Sequence, residues 1–246
     1  MFSKKGLFIL GILVLAVGLV AKMPARMITE RISAPGLSIN DVSGTIWNGR
    51  IRQLVINNEP VAPVSWKLEP SSLFGGGLAG QFAISPPDSS IRGAMYASFD
   101  GSLELSDVQI QGSLREIASG SSLGPVAGSI DGTIAKARLA DERLQSLLGK
   151  ASIFGLRYPA EGGMILGDFK VDCPENSGPQ IVCEIRDIQS PLELDATITL
   201  DGTAYALKGT VRAKRNAPAN LTQSLQFLGR PDAVGNHQLQ MEGRLD

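Results

Sequence analysis

The stretch that decides the fold is Leu192-Glu193-Leu194-Asp195-Ala196-Thr197-Ile198-Thr199-Leu200-Asp201-Gly202-Thr203-Ala204-Tyr205-Ala206-Leu207-Lys208-Gly209-Thr210-Val211-Arg212-Ala213. Leu192, Leu194, Ala196, Ile198 and Leu200 alternate with polar residues, a period of two that puts every apolar side chain on one face of a strand. Asp201-Gly202 tolerates the positive φ of a two-residue hairpin turn. Beyond it the chain returns through Tyr205, Leu207, Gly209 and Val211. The segment therefore reads as an antiparallel hairpin with one apolar and one polar face.

Working outward, the local pattern apolar-polar-Gly-polar-apolar recurs at Val42 to Ile46, Phe99 to Leu103, Ile110 to Leu114, Ile130 to Ile134, Leu207 to Val211 and Met241 to Leu245. The spacing is irregular, so this is no fixed-period solenoid. The pairs Asp100-Gly101, Asp131-Gly132 and Asp201-Gly202 read as hairpin turns. At Gly44, Gly112, Gly209 and Gly243 the glycine falls on the apolar face, which marks a bulge, a bend or a close backbone approach and predicts a sheet that curls around that face. Helices are expected at Asp141 to Leu148 and at Asn220 to Leu228. The second has Asn220 as N-cap, Leu221, Leu225 and Leu228 on one face, and Gly229 followed by Pro231 as the stop. With 28 glycines and only 5% aromatic residues in 246, the composition suits many short strands. The fold class is mainly β: an N-terminal transmembrane helix followed by a curled, largely antiparallel sheet with one or two short helices.

Lys4-Lys5 precede an uncharged apolar run from Gly6 to Ala21 that ends at Lys22. The run is close to the roughly 17 to 25 residues of a membrane helix, and the flanking lysines can snorkel to close the gap. A cleavable signal peptide is the competing reading, since Ala16-Val17-Gly18 offers small residues. Leu19-Val20-Ala21, however, continue the apolar run where a cleaved signal turns polar. The basic residues on the two sides balance, so orientation rests on the short basic lead-in typical of an export signal. The expected organisation is a cytoplasmic tail and anchor over 1–22, a periplasmic stalk over 23–36 with Met23 to Ser33 amphipathic and broken by Pro24, and a periplasmic β domain over 37–246.

Twenty-three basic residues against 24 acidic ones leave no field that favours nucleic acid. Cys173 and Cys183 bracket the turn cluster Pro174 to Pro179, so they are a candidate disulfide across a hairpin. Two buried free thiols are the alternative. Zinc or redox chemistry fits poorly, because the spacing is not C-x-x-C and the single histidine, His237, is far away in sequence. In its alternating stretch His237 reads as an exposed strand residue. There is no nucleophile elbow and no P-loop, and Gly75-Gly76-Gly77 lacks the Lys-Ser/Thr of a nucleotide loop. Trp47 and Trp66 sit in strand-like surroundings and read as paired core aromatics. No catalytic, cofactor-binding or metal residues are assigned, and the chain reads as a non-enzyme that needs no cofactor.

Val42-Ser43-Gly44-Thr45-Ile46-Trp47-Asn48-Gly49, followed by Pro63-Val64-Ser65-Trp66-Lys67-Leu68-Glu69-Pro70 and Leu73, resembles the opening of protein N of the bacterial type II secretion system. Leu200-Asp201-Gly202, Tyr205, Leu207-Lys208-Gly209, Leu225, Leu228-Gly229-Arg230-Pro231-Asp232 and Gly243-Arg244-Leu245 resemble its C-terminal half. The positions that carry the resemblance are Gly44, Trp47, Gly49, Trp66, Pro70, Gly209, Gly229, Pro231 and Gly243. The resemblance implies an accessory subunit of the secretion machinery in the cell inner membrane. It would pass the membrane once, with its bulk in the periplasm, and act by contacts with other inner-membrane subunits. It transfers no catalytic residues. The rival reading from the residues is an envelope lipid-handling protein, in which a curled apolar β groove shields acyl chains.

Overall fold

The computed structural model describes residues 22–29, 37–56, 59–117, 126–141, 143–158, 163–178, 180–202 and 204–244. The apolar run Gly6 to Ala21 and the stalk beyond Thr29 lie outside them. None of the described helices is long and apolar enough to cross a membrane. The chain divides into two compact units, Met1–Pro86 and Pro87–Asp246.

The first unit holds a one-turn helix α1 (Arg26–Thr29) and strands β1 (Leu37–Gly44), β2 (Asn48–Ile56), β3 (Glu59–Val61), β4 (Val64–Glu69) and β5 (Gly77–Ile84). They form an antiparallel sheet in the order β1-β2-β4-β5, with β3 paired onto β2. Met23 to Ala25 does not run free. Pro24 bridges to Thr45, Ala25 N–H donates to the Gly44 carbonyl at 3.1 Å, and the Met23 carbonyl accepts from Ile46 N–H at 3.0 Å. Ala25 is buried as a result.

The second unit is a meander in which each strand pairs antiparallel with the next: β6 (Ser89–Ser98), β7 (Leu103–Ser113), β8 (Ala127–Ala140), β9 (Arg143–Tyr158), β10 (Met164–Ser177), β11 (Ile181–Asp187), β12 (Leu192–Asp201), β13 (Ala204–Ala213) and β14 (His237–Arg244). Two short helices interrupt it, α2 (Leu114–Ile117) and α3 (Ala219–Leu225). Among the described residues β14 pairs with β13 alone, so the sheet ends there instead of closing. The Leu192 to Ala213 hairpin has its expected register, Leu192↔Ala213 through Asp201↔Ala204, about a turn at Gly202 with φ 60°. Its apolar row feeds two clusters. Leu192 and Val211 pack with Leu221 and Leu225 of α3, and Ile198 and Leu200 pack on Cys173, Ile181 and Cys183.

Four expectations are corrected. Asp131-Gly132 is no turn: it lies inside β8, where Gly132 faces Ile110 on one side and Ala151 on the other. The alternation Ile130, Gly132, Ile134 continues through it, and pairing on both sides outweighs the local turn signal. The chain reverses instead at Asp141, whose φ is 52°. Asp141 to Leu148 is accordingly not a helix, since β9 begins at Arg143. The helical spacing of Leu144, Leu147 and Leu148 arises because the register shifts between Arg138 and Leu139, which brings Leu144 opposite Leu139 and Leu147 opposite Ala137. A bulge of this kind adds a residue to one strand and keeps i and i+3 on one face.

The helix near 220 exists, but Asn220 is not its cap. The N-cap position is Pro218, whose carbonyl accepts from the N–H groups of Leu221 and Thr222, both at 3.1 Å. Asn220 Oδ1 accepts from Leu221 N–H inside the first turn. The helix then tightens into a 3-10 turn, Gln226–Leu228, and stops at Gly229 with φ 101°. Lastly, His237 is buried, not exposed. It opens β14 opposite Val211 and so falls on the inner, apolar face of the sheet.

Candidate functional site

Of the residues singled out in the sequence, Gly44, Trp47, Gly49, Trp66 and Pro70 gather at one end of the first unit's sheet, while Gly209, Gly229, Pro231 and Gly243 are spread along β13, β14 and the loop before β14. In the first unit Gly49 and Trp66 are direct cross-strand partners. A Cβ at position 49 would lie 2.2 Å from Trp66 Cζ2, so the indole lies flat on the glycine backbone. Its Nε1–H donates to the Ile46 carbonyl at 2.8 Å, which satisfies the polar handle of a half-buried tryptophan. Gly44 adopts φ 88°, and a Cβ there would meet Asn48 O at 2.3 Å. Trp47 lies in the bend between β1 and β2, not in a strand, and its carbonyl accepts from Leu68 N–H at 2.6 Å. Pro70 opens a 3-10 turn, Pro70–Gly75, that leads from β4 to β5. The β1–β2 bend and β4 are thus tied twice, by the Trp66 indole on the Ile46 carbonyl and by Leu68 N–H on the Trp47 carbonyl.

In the second unit Tyr205 repeats the device: its ring covers Gly243, the residue it faces across β13 and β14. Gly209 faces Ala196, and a Cβ there would lie 2.4 Å from Ala196 Cα. Gly229 and Pro231 belong to the loop between α3 and β14. The Gly229 carbonyl sits 2.9 Å from His237 Nδ1, and since a carbonyl only accepts, Nδ1 carries the proton. His237 is thereby a loop fastener, a role for which the sequence carried no signal.

Asp232 ties the rest of the loop. Its Oδ1 accepts from the N–H groups of Val234 and Asn236 at 2.9 and 2.8 Å, and its Oδ2 accepts from Asn236 Nδ2 at 3.2 Å. The backbone N–H of Asn236 is the main reason its carboxyl is held below the ordinary carboxylate range. Asp232-Ala233-Val234-Gly235-Asn236 has the composition of an Asx turn, so this feature was readable. The loop so fixed holds out Phe227, 90% exposed, and Val234, 67% exposed. Arg212 Nη1 reaches the Val234 carbonyl and pairs with Glu193. Close by in the chain, Lys214 pairs with Asp187.

Cys173 and Cys183 are disulfide-bonded across β10 and β11. They extend the register of Asp172↔Glu184 by one position and lie in the inner cluster with Ile181. Among the described residues no group of three or more His, Cys, Asp or Glu is placed to hold a metal ion, and no buried side-chain polar atom lacks a partner. What these positions do is fix backbone and present surface.

The profile of the family described as "Type II secretion system (T2SS), protein N" matches residues 35–240. A protein of Aeromonas hydrophila, "Type II secretion system protein N", is 23% identical over 239 residues, which cover 92% of this chain and 93% of that protein. No solved structure matches.

Proposed function

The chain belongs to the type II secretion system protein N family, and from that membership we propose that it is a non-enzymatic accessory subunit of the secretion machinery, acting by protein–protein contact at the periplasmic side of the inner membrane. In this reading Gly6 to Ala21 is a single membrane span, with Lys4 and Lys5 in the cytoplasm. Residues 23–36 lead to a periplasmic β domain over 37–246, whose sheet curls about its apolar face. The Cys173–Cys183 bridge agrees with an oxidising compartment.

The observation that carries the contact mechanism is the loop between α3 and β14. Val234 stands out in solvent with its backbone N–H held by Asp232, and Phe227 stands out from the 3-10 turn that ends at Gly229, whose carbonyl His237 holds. A rigid apolar projection loses little conformational entropy when a partner covers it, which is what a contact residue requires. The partners in this reading are other inner-membrane subunits of the same machinery.

One observation favours the lipid-handling alternative. An open cavity of about 380 Å³ in the second unit is lined in part by Leu105, Ala137 and Leu147, residues of the apolar face. Its rim is polar, however, with Glu104, Lys136, Arg138 and Glu175. An acyl-chain site wants a mainly apolar lining.

Deletion of the gene, with assays of both extracellular enzyme secretion and outer-membrane permeability, separates the two readings. A photo-crosslinking residue in place of Phe227 identifies what it touches. The contact reading expects reduced secretion, an intact permeability barrier and crosslinks to anchored secretion subunits. Normal secretion beside a leaky outer membrane, with phospholipid co-purifying, would replace it with the lipid reading.

A further inference from the structure

We propose that the Pro70–Gly75 turn rests on the surface of the bilayer entered by the N-terminal run, with Phe74 inserted among the lipid headgroups as a second membrane contact. This deepens the membrane-anchored reading above and rests on Gly6 to Ala21 being a span.

The first observation is the turn itself. Phe74 is 97% exposed, Leu73 beside it is partly exposed, and no residue of the turn is buried. Gly75 and Gly76, which follow, have nothing near the position a Cβ would take. The backbone is nevertheless fixed. Ser72 Oγ donates to the Glu69 carbonyl at 2.6 Å and accepts from Ala79 N–H at 2.8 Å, and Gly76 N–H donates to the Leu73 carbonyl. The phenylalanine is therefore held out by a stapled loop.

The second observation is where the turn sits in the first unit. The apolar run ends at Lys22, and the very next residues are fastened to the β1–β2 bend, with Met23 O on Ile46 N and Ala25 N on Gly44 O. Leu68 N–H donates to the Trp47 carbonyl of that same bend. Since β4 and β5 pair from Glu69↔Ala79 back to Val64↔Ile84, their connection leaves the sheet at that end. A 3-10 turn of six residues extends roughly 12 Å at about 2 Å per residue. That is enough to cross the headgroup zone of one leaflet, about 5–7 Å given a bilayer of about 40–45 Å around a core of about 30 Å. Lys22 stands one residue from the docked segment, so the membrane surface that the run enters faces this end of the sheet.

Chemistry then selects lipid over protein as the occupant. A two-residue apolar tip bounded by Ser71-Ser72 and Gly75-Gly76-Gly77 is far smaller than the roughly 800 Å² a stable protein partner covers. Phenylalanine and leucine on an interfacial element bury their apolar side chains roughly 5–10 Å into the boundary between headgroups and acyl chains. Lys22 and Lys67, both exposed at this end, suit anionic headgroups.

The test uses the full chain in nanodiscs of phosphatidylethanolamine and phosphatidylglycerol. Because the native cysteines are bridged, an environment-sensitive fluorophore can be placed through Phe74→Cys, through Ser85→Cys at the opposite end of the same sheet, and through Leu13→Cys within the apolar run. Lipids carrying nitroxides at headgroup or acyl depth are then added. The proposal expects the label at 74 to be blue-shifted and to lose most of its emission to headgroup nitroxides. The label at 13 should be quenched by deep nitroxides, and the label at 85 should be unaffected. Quenching at 13 without quenching at 74 would overturn the wedge and leave the anchor standing. No quenching at 13 would remove the anchor and the wedge with it. A blue shift at 74 that needs another secretion subunit and shows no lipid quenching would make Phe74 a protein contact and overturn the proposal.

Discussion

Replacing Gly209 by alanine probes the close backbone approach at the centre of the hairpin that decides the fold. A Cβ at this position would lie 2.4 Å from both Ala196 Cα and Asp195 O and 2.5 Å from Ala196 Cβ. Two of these are backbone atoms of a strand paired on both sides, so no rotamer change relieves the clash and β12 and β13 must move apart by about 1 Å. Overpacking of this kind costs about 1–3 kcal/mol. Glycine-to-alanine replacement also gains about 0.4–1 kcal/mol by restricting the unfolded chain, so the net change runs from about zero to a loss of about 2.6 kcal/mol, while the difference from an alanine variant without the clash keeps the full range of about 1–3 kcal/mol. At about 2–4 °C per kcal/mol for a unit of this size, the melting temperature should fall by up to roughly 10 °C and lie roughly 2–12 °C below that of such a variant. Gly132→Ala is the internal control: it is also mid-strand in the second unit, without positive φ, and its nearest neighbour, Ala151 Cβ, is 3.2 Å away. A few tenths of an ångström relieve that contact, so its change should lie within about 0.5 kcal/mol of zero. Thermal melts of the full chain in detergent, followed by circular dichroism, read both variants. Equal melting temperatures for the two would refute the close-approach reasoning.

Replacing Cys173 and Cys183 by serine opens a bridge of sequence separation 10, which the chain-entropy model values at about 2–3 kcal/mol; the fold should persist at a lower melting temperature. Mass spectrometry of the non-reduced, alkylated wild type from periplasmic material should show no alkylation at these positions. Asp187, whose side chain is 13% exposed, keeps its carboxyl below its ordinary value of 3.8: burial alone would raise it, but the hydrogen bonds from Lys214 and the Leu194 N–H outweigh burial. A lowered folded-state pKa means stability present above the unfolded value and lost as pH falls through the folded one. Asp187→Asn should therefore cost about 1–3 kcal/mol at neutral pH, with the gap to wild type closing as melts are taken below about pH 4.

Period two was the reliable signal, because alternation survives in a strand wherever one face is covered. It located β12, β13 and their turn, and the inner-face glycines proved to be close approaches at Gly44, Gly112, Gly209 and Gly243. The misreadings share a cause. Asp131-Gly132 and the leucines after Asp141 were judged over a few residues. Their states are set by partners in the adjacent strands, Ile110 and Ala151 for Gly132 and Leu139 and Ala137 for Leu144 and Leu147, through pairing on both edges and a bulge. Side-chain capping makes Asn220 the stronger sequence cue, whereas the N-cap is Pro218, which has no side-chain donor or acceptor and offers only its backbone carbonyl. His237 was misjudged because its partner is a carbonyl, and every residue has one.

The motif positions make sense together once their common physical effect is considered. Gly49 under Trp66 and Gly243 under Tyr205 remove a side chain so that an aromatic ring can lie on the strand. In a sheet with few aromatics this puts the largest packing surfaces where the chain most needs anchoring, the β1–β2 bend and the final strand pair. The first place adjoins the turn that carries the exposed Phe74 after β4, while the exposed Phe227 lies before β14, at the end of that strand where His237 faces Val211 and away from Gly243. Loosening the Gly49–Trp66 pair should therefore leave the rest of the sheet paired while Phe74 loses its fixed position, which the mobility of a spin label at position 74 would report. Trp66, by packing on Gly49, and His237, by its hydrogen bond to the Gly229 carbonyl, each fix backbone beside an exposed phenylalanine.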